Sequence, residues 1–241
     1  MESGIYVSLS GQLALQRRLD TIANNVANST TPGFRAENVT FETVLSQTSR
    51  SSVAYSGTGD GTFSRHTGAI VQTDNPLDIA VNGDAYLSVN GAKGPVYTRD
   101  GRMRISAAGD LENMSGQQVL DISGSPIQIN PNRGPVQIAR DGTISQNGQR
   151  VGRIGLFSIP ETAKFVRAEG ASLVPDVPAE PVVDFVKKGV LQGYIENANV
   201  NPVMEMTRLI SVTRAFEAAS AASDQTDRKL NDAIKALGTG R

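Results

Sequence analysis

The chain carries one histidine and no cysteine among its 241 residues. His66 is therefore the only side chain whose ordinary pKa suits a general base near neutrality. Ser64 and Asp60 lie close by in sequence, and serine and aspartate are the residue types of a nucleophile and an orienting acid. Closeness along the chain sets no geometry, and a solvated or packed surface histidine is the plainer reading. One imidazole cannot build a multi-histidine metal site. The lack of thiols excludes disulfides, cysteine-ligated zinc, iron–sulfur clusters and thiol catalysis. Gly57-Thr58-Gly59-Asp60-Gly61 has the glycine density of a phosphate loop, but a dinucleotide fingerprint needs G-x-G-x-x-G between a strand and a helix. Neither the spacing nor the context fits, and a calcium site at Asp60 would need a nine-residue repeat that is absent. The carboxylates Asp84, Asp100, Asp110 and Asp141 stand in turns, where a short acidic side chain bonds the local backbone. Asn28-Ser29-Thr30, Asn38-Val39-Thr40 and Asn113-Met114-Ser115 match the glycosylation tripeptide, which matters only on a secretory route. A net charge of −1 gives no basic excess to grip nucleic acid, and 5% aromatics with no tryptophan are poor material for stacking sugars or bases. No catalytic residue, metal or cofactor is expected.

The elements that would have to position any site separate into three compositional regions. From Ile5 to Asn28, Leu15, Leu19, Ile22 and Val26 recur at spacings of 4, 3 and 4, one stripe of a helix, with Ser3 as the expected N-cap. Pro32-Gly33 suits the centre of a type II turn. At the other end, Asn201 caps, Pro202 takes the first helical position, and Met206, Leu209, Thr213, Phe216, Ser220, Ser223, Asp227, Leu230, Ile234 and Leu237 form a second stripe, with Gly238 as its stop. Alanines 215, 218, 219, 221 and 222 leave this surface small enough for close helix approach. From Pro202 to Leu237 such a helix spans roughly 54 Å, so a small domain cannot cover all of it.

Between the helices lies β sequence punctuated by glycine. Leu77, Ile79 and Val81 alternate, Asn82-Gly83 turns, and Ala85, Leu87 and Val89 alternate again, which predicts a hairpin with a type I′ turn. Asp100-Gly101, Ala108-Gly109-Asp110, Asp141-Gly142 and Asn147-Gly148 continue the punctuation. Ser46–Gly68 reads as an extended or irregular arm, and 174–181 as a second, proline-stiffened connection. The expected class is α+β: an all-β central domain flanked by N- and C-terminal amphipathic helices that pair as a coiled-coil-like inner domain. The expected divisions are 1–45 (helix and turn), 46–75 (arm), 76–190 (β domain) and 191–241 (C-terminal helix). The N-terminus lacks the pattern of a cleaved signal peptide, and no stretch approaches ~18 consecutive apolar residues. A cytosolic chain, or one that leaves the cell without losing a leader, is expected.

The ends and the middle together resemble one family. Ala23-Asn24-Asn25-Val26-Ala27-Asn28-Ser29-Thr30-Thr31-Pro32-Gly33-Phe34-Arg35 is similar to the N-terminal signature of bacterial flagellar rod and hook proteins. Gly193-Tyr194-Ile195-Glu196-Asn197-Ala198-Asn199-Val200-Asn201-Pro202-Val203, continuing through Glu205-Met206-Thr207-Arg208-Leu209-Ile210 and Arg214-Ala215-Phe216-Glu217, is similar to their C-terminal signature. Leu77-Asp78-Ile79-Ala80-Val81-Asn82-Gly83-Asp84 and Tyr97-Thr98-Arg99-Asp100-Gly101 look like hallmarks of their β domain. The opening Met1-Glu2-Ser3-Gly4-Ile5-Tyr6-Val7 and the modest length look most like the proximal rod members, with the distal rod members as close rivals. Ala218-Ala219-Ser220-Ala221-Ala222-Ser223 departs from relatives, which often carry larger or more polar residues there.

The resemblance implies a structural, non-enzymatic subunit of the flagellar basal-body rod, part of a hollow drive shaft that transmits torque and encloses the export channel. It implies export by the flagellar type III apparatus without cleavage, assembly in the periplasm with copies of itself and other rod proteins, and neither nucleic-acid binding nor membrane insertion. Leu15, Leu19, Ile22, Val26, Met206, Leu209, Phe216, Leu230, Ile234 and Leu237 are the expected subunit-contact residues. The alternative class is a secreted glycan-binding or glycan-active protein built on the β domain.

Overall fold

The structure is a computed structural model. It describes residues 2–48 and 51–238, with side-chain surroundings for 7–40 and 61–225 and for Arg228, Lys229, Asp232 and Lys235. Contacts divide the chain into two compact units. One comprises residues 1–27, 37–62 and 201–241; the other comprises 28–36 and 63–200.

The first unit holds α1 (Glu2–Ala27), the strands β1 (Glu37–Thr48) and β2 (Ser51–Phe63), and α2 (Pro202–Gly238). α1 begins at Glu2, so Ser3 lies inside the helix instead of capping it. α2 begins as its sequence dictates: the Asn201 side-chain oxygen accepts from the Val203 and Met204 amides at 3.1 and 3.2 Å, and Pro202 opens the helix. Its 37 residues span about 55 Å at ~1.5 Å per residue. The helices pack on each other in opposite directions. Gln12 donates to the Ala219 carbonyl, while Ile22 shares a crevice with Glu205 and Arg208. The arm is more regular than its glycine content suggests, because β1 and β2 pair as a two-stranded sheet. Valine and threonine at 39, 40, 44 and 48, and again at 53, 58 and 62, supply the β-branched residues that favour extended backbone. In the last turn of α1 the buried Asn25 side chain donates to the Glu37 carbonyl at 2.9 Å and accepts from the Glu37 amide at 3.0 Å, tying the start of β1 to the helix.

The second unit is the β body. Its strands are β3 (Ile70–Gln72), β4 (Ile79–Asn82), β5 (Tyr86–Gly91), β6 (Gly94–Thr98), β7 (Met103–Ile105), β8 (Leu111–Asn113), β9 (Val136–Ile138), β10 (Thr143–Gln146), β11 (Gln149–Arg153), β12 (Leu156–Ser158), β13 (Phe165–Arg167), β14 (Leu173–Pro175), β15 (Glu180–Pro181), β16 (Gly189–Gln192) and β17 (Tyr194–Glu196). The largest sheet runs β13-β14-β6-β5-β12-β15. A second runs β11-β10-β9, and β16-β4, β17-β3 and β7-β8 form pairs. Among the described residues, every pairing between these strands is antiparallel. The proline-stiffened connection is bracketed by β14 and β15, and the chain returns through β16 and β17 before α2.

The two Asn-Gly steps behave differently. Asn147-Gly148 has positive φ at both residues (49° and 75°) and joins β10 to β11 with Gln146 opposite Gln149, as a type I′ hairpin requires. Asn82-Gly83 does not make the expected hairpin. Only Gly83 has positive φ, β4 pairs with β16, and β5 pairs with β6 and β12. The alternation itself is real: Ile79, Val81, Ala85, Leu87 and Val89 all enter one buried cluster, with Leu77 packed against it. Tyr86, on the opposite face of β5, enters a second cluster with Ile159, Phe165 and Leu173. A strand buried on both faces takes neighbours that complete two cores, so packing overrides the local turn signal.

Candidate functional site: helical stripes and a buried clasp

Most of the expected α1 stripe is covered within the helical unit. Ile22 is buried, and Leu15, Leu19 and Val26 are half-buried. On α2, Leu209, Thr213, Phe216, Ser220 and Ser223 are likewise half-buried, and Glu205 and Val212 are buried beside them. These are the faces through which the helices pack. Met206 is different: it is 51% exposed and shares an open apolar face with Val203 (71%) and Ile210 (56%), while Met204 (51%) is exposed on another side of the helix. Leu9 and Leu13 share a comparable exposed face early in α1. Leu230, Ile234 and Leu237 lie outside the described side chains.

The residues first weighed for chemistry are dispersed or occupied. His66 is exposed and contributes its backbone carbonyl, not its ring, to the hydrogen bonds described below. Asp60 lies outside the described side chains. Asp100 binds Arg102 through both carboxylate oxygens, Asp110 accepts from Gln118 and Gln128, and Asp141 accepts from the Thr143 amide and hydroxyl. Burial pushes the Asp141 pKa up, but the Thr143 donors and the Arg153 cation outweigh it and leave it below the usual carboxylate range. Among the described residues no group of three or more His, Asp or Glu side chains could hold a metal ion.

The densest chemistry in the molecule is a buried cluster that sequence reasoning quoted residue by residue without connecting. Glu196, at the end of β17, is 1% exposed. Its carboxylate accepts from Arg99 Nε at 2.6 Å, from the Gly68 amide at 2.9 Å, and from Arg35 Nη2 at 3.1 Å. Arg99 is buried too, and spends its remaining donors on the carbonyls of Val81, Gly83 and Ala85 at 2.7–2.8 Å. Arg35 also donates to the His66 carbonyl. Burial pulls the Arg35 pKa below its ordinary value, the neighbouring Arg99 cation adds to this, and Glu196 opposes it; guanidinium nonetheless stays charged. Two buried cations thus share one carboxylate, and five backbone groups add hydrogen bonds to the cluster, while the buried Arg35 Nε finds no partner. Burial also raises the Tyr86 pKa above its ordinary value, and its ring lies 5.8 Å from the Arg99 guanidinium carbon.

Asn199 closes the cluster on its far side. Its amide donates to the Phe34 carbonyl. Its side-chain oxygen accepts from the Ala36 amide at 2.7 Å, and its side-chain nitrogen donates to the carbonyls of Ser64 and His66. The turn it holds is the expected one. Phe34 donates back to the Thr31 carbonyl, and Gly33 has φ 69°, as position i+2 of a type II turn demands. Gly33 is required twice over, because a Cβ there would sit 2.1 Å from the Asp100 amide nitrogen. Arg167 covers the turn, its guanidinium carbon 4.2 Å from the Phe34 ring centroid and its Nη2 donating to the Arg35 carbonyl. All four quoted stretches meet here: 23–35, 77–84, 97–101 and 193–203. A signal was available, since Arg99 and Glu196 each follow a run of apolar strand residues, where a charge must be paired.

Comparison with known proteins agrees with this geometry. Residues 5–35 match the family model for flagella basal body rod proteins, 80–146 match that for the flagellar hook protein FlgE/F/G D1 domain, and 191–236 match that for the flagellar basal body rod FlgEFG protein C-terminal region. The chain is 46% identical to the flagellar basal-body rod protein FlgF of Mesorhizobium japonicum, over 99% of both chains. It is 42% identical to the FlgF of Rhizobium meliloti over the full length of both, and 28% identical to the FlgG of Bacillus subtilis over 97% of this chain and 98% of that one. The chain belongs to the flagellar basal-body rod protein family, is FlgF-like within it, and is a structural component of the rod.

Proposed function

We propose that this chain is a subunit of the proximal rod, one of the building blocks of a hollow shaft that transmits torque and encloses the export channel. It packs against copies of itself and other rod proteins, stands in the periplasm, and reaches that site through the flagellar type III apparatus without losing a leader. The observation that carries the reading is the two-sided helical pair. One apolar stripe is spent inside the subunit, and a second, containing Val203, Met206 and Ile210 at spacings of 3 and 4, is left open. Burying each such side chain against a neighbour stabilises by ~1.5–3 kcal/mol before ordering costs. Met206 is the centre of the proposed contact. Leu15, Leu19, Val26, Leu209 and Phe216 present their half-exposed edges to it, Ile22 stiffens the pair from within, and Leu230, Ile234 and Leu237 extend the stripe along a coiled-coil-like seam. Greater identity to FlgF than to FlgG supports a proximal over a distal position.

The test is Met206→Asp combined with Ile210→Asp. The expected outcome is an unchanged circular dichroism spectrum for the purified subunit, with loss of rods from basal-body preparations and loss of motility. His66→Ala alone, in the same parental background, should leave rods and motility intact. A motile double variant with complete rods would remove this stripe as the assembly surface. Turnover of peptidoglycan by the purified protein, abolished by one carboxylate substitution, would favour the glycan-active alternative.

A further inference from the structure

We infer that residues 28–36 form a strap held on the β body by a two-residue lock, Glu196 and Asn199, and that opening the lock frees the strap while the sheets stay folded. The strap is the stretch of chain that links α1 to β1. It carries no strand of its own, yet Pro32, Gly33, Phe34 and Arg35 are all buried. Four of its polar attachments run to the lock residues. The Gly33 amide donates to the Glu196 carbonyl at 2.7 Å, the Arg35 guanidinium binds the Glu196 carboxylate, the Phe34 carbonyl accepts from the Asn199 amide, and the Ala36 amide donates to the Asn199 side chain. The Ser64 amide, the His66 carbonyl and Arg167 also bind it, and the Phe34 ring is buried under the Arg167 guanidinium.

The same two residues also fasten 64–68, since Gly68 donates to the Glu196 carboxylate and the Ser64 and His66 carbonyls accept from Asn199. Strap and neighbouring segment therefore share one lock. The major apolar cluster runs from Ile79 to Val190 and includes no residue from 28–36 or 196–199; Glu196 reaches its backbone through Arg99, and Asn199 through none of the bonds described. Local opening of a segment held by few polar contacts, beside a core that stays closed, is the pattern expected of a separately cooperative unit.

The experiment is hydrogen exchange by mass spectrometry on the full-length subunit, its Glu196→Gln form and its Asn199→Ala form. Glu196→Gln keeps the shape of the side chain but removes the charge that pairs with Arg35. Asn199→Ala removes neutral hydrogen bonds only and leaves the ion pair in place. In both variants peptides covering 28–36 and 64–69 should exchange about tenfold faster or more, whereas the β10–β11 hairpin should keep the wild-type rate. Unchanged exchange of 28–36 in both variants would overturn the lock. So would an equal acceleration of the strap and the β10–β11 hairpin in Asn199→Ala, because the two residues would then support the whole body rather than the strap.

Discussion

The β body and the helical pair solve the burial problem in opposite ways. In the body, Ile79, Val81, Leu87, Leu111, Ile144 and Leu156 are each at most 2% exposed and close on one another across short strands brought together from distant parts of the chain. In the helical unit the described apolar residues split: Ala14, Ile22 and Val212 are buried, while Leu9, Leu13, Val203, Met204, Met206 and Ile210 stand about half exposed or more. One unit closes its apolar residues on one another, and the other leaves several of its own open. Isolated amphipathic helices gain most of their stability from tertiary burial, so the open stripe on the long helix is the surface from which the proposed assembly would draw its energy. The difference teaches that apolar pattern alone does not say who covers it. The stripe most regular in the sequence is largely the one along which the two helices pack, and Val203, Met206 and Ile210, the open face of the proposed contact, lie beside it.

The sharpest way to break this contrast is one truncation in each unit. Leu87→Ala opens a cavity in a closed core and should cost ~2–5 kcal/mol, seen as a lower denaturant midpoint for the loss of β signal. Ile210→Ala removes similar apolar bulk from the open stripe and should change the stability of the isolated subunit by less than ~0.5 kcal/mol. Equal costs would erase the distinction between the two units.

A smaller effect separates local from long-range support. Asn201→Ala removes the N-cap of α2 and should destabilise that helix by ~1 kcal/mol. Helical ellipticity should fall at a given temperature while the β-body transition stays in place. A matching shift of the β transition would show that the units do not melt separately.

The smallest effect is a pH dependence confined to the body. Asp141 has a folded pKa below its unfolded value, so it contributes stability that is fully present above the unfolded pKa, near 4, and is lost as pH falls through the folded one. Asp141→Asn should lower the neutral plateau of the β-body stability profile slightly and leave its acid end nearly unchanged, so that the slope between them flattens. A flattening on the alkaline side would contradict the assignment.

What was legible in the sequence was whatever is decided within a few residues. The Asn201-Pro202 start of α2, the Pro32-Gly33 turn, the Asn147-Gly148 hairpin and the alternation of Ile79 and Val81 all depend on neighbours in sequence, and all stand in the structure. The partner of β4 was not legible, because β16 lies over a hundred residues away and the Asn82-Gly83 step offers a nearer, false one. Ser3 was misplaced because a helix end is set by where backbone bonding begins, which a cap residue favours without fixing. The cluster around Glu196 was visible only as fragments. Arg35, Arg99 and Glu196 each sat in a stretch of recognisable sequence, yet nothing in one stretch announces that its charge is answered by the other two.

The clasp also sets a clock for folding. Ala36 and Asn199 meet across 163 positions, and Arg99 meets Glu196 across 97. A growing or threading chain can form the β10–β11 hairpin as soon as its few residues are free, since closing a short loop takes well under a microsecond. The union of 36 with 199 must wait until five-sixths of the chain is available and then overcome the entropy of closing a very long loop. Until that moment the two Arg residues destined for the interior have no carboxylate to meet, and a chain halted before residue 196 carries them as ordinary, hydrated surface charges.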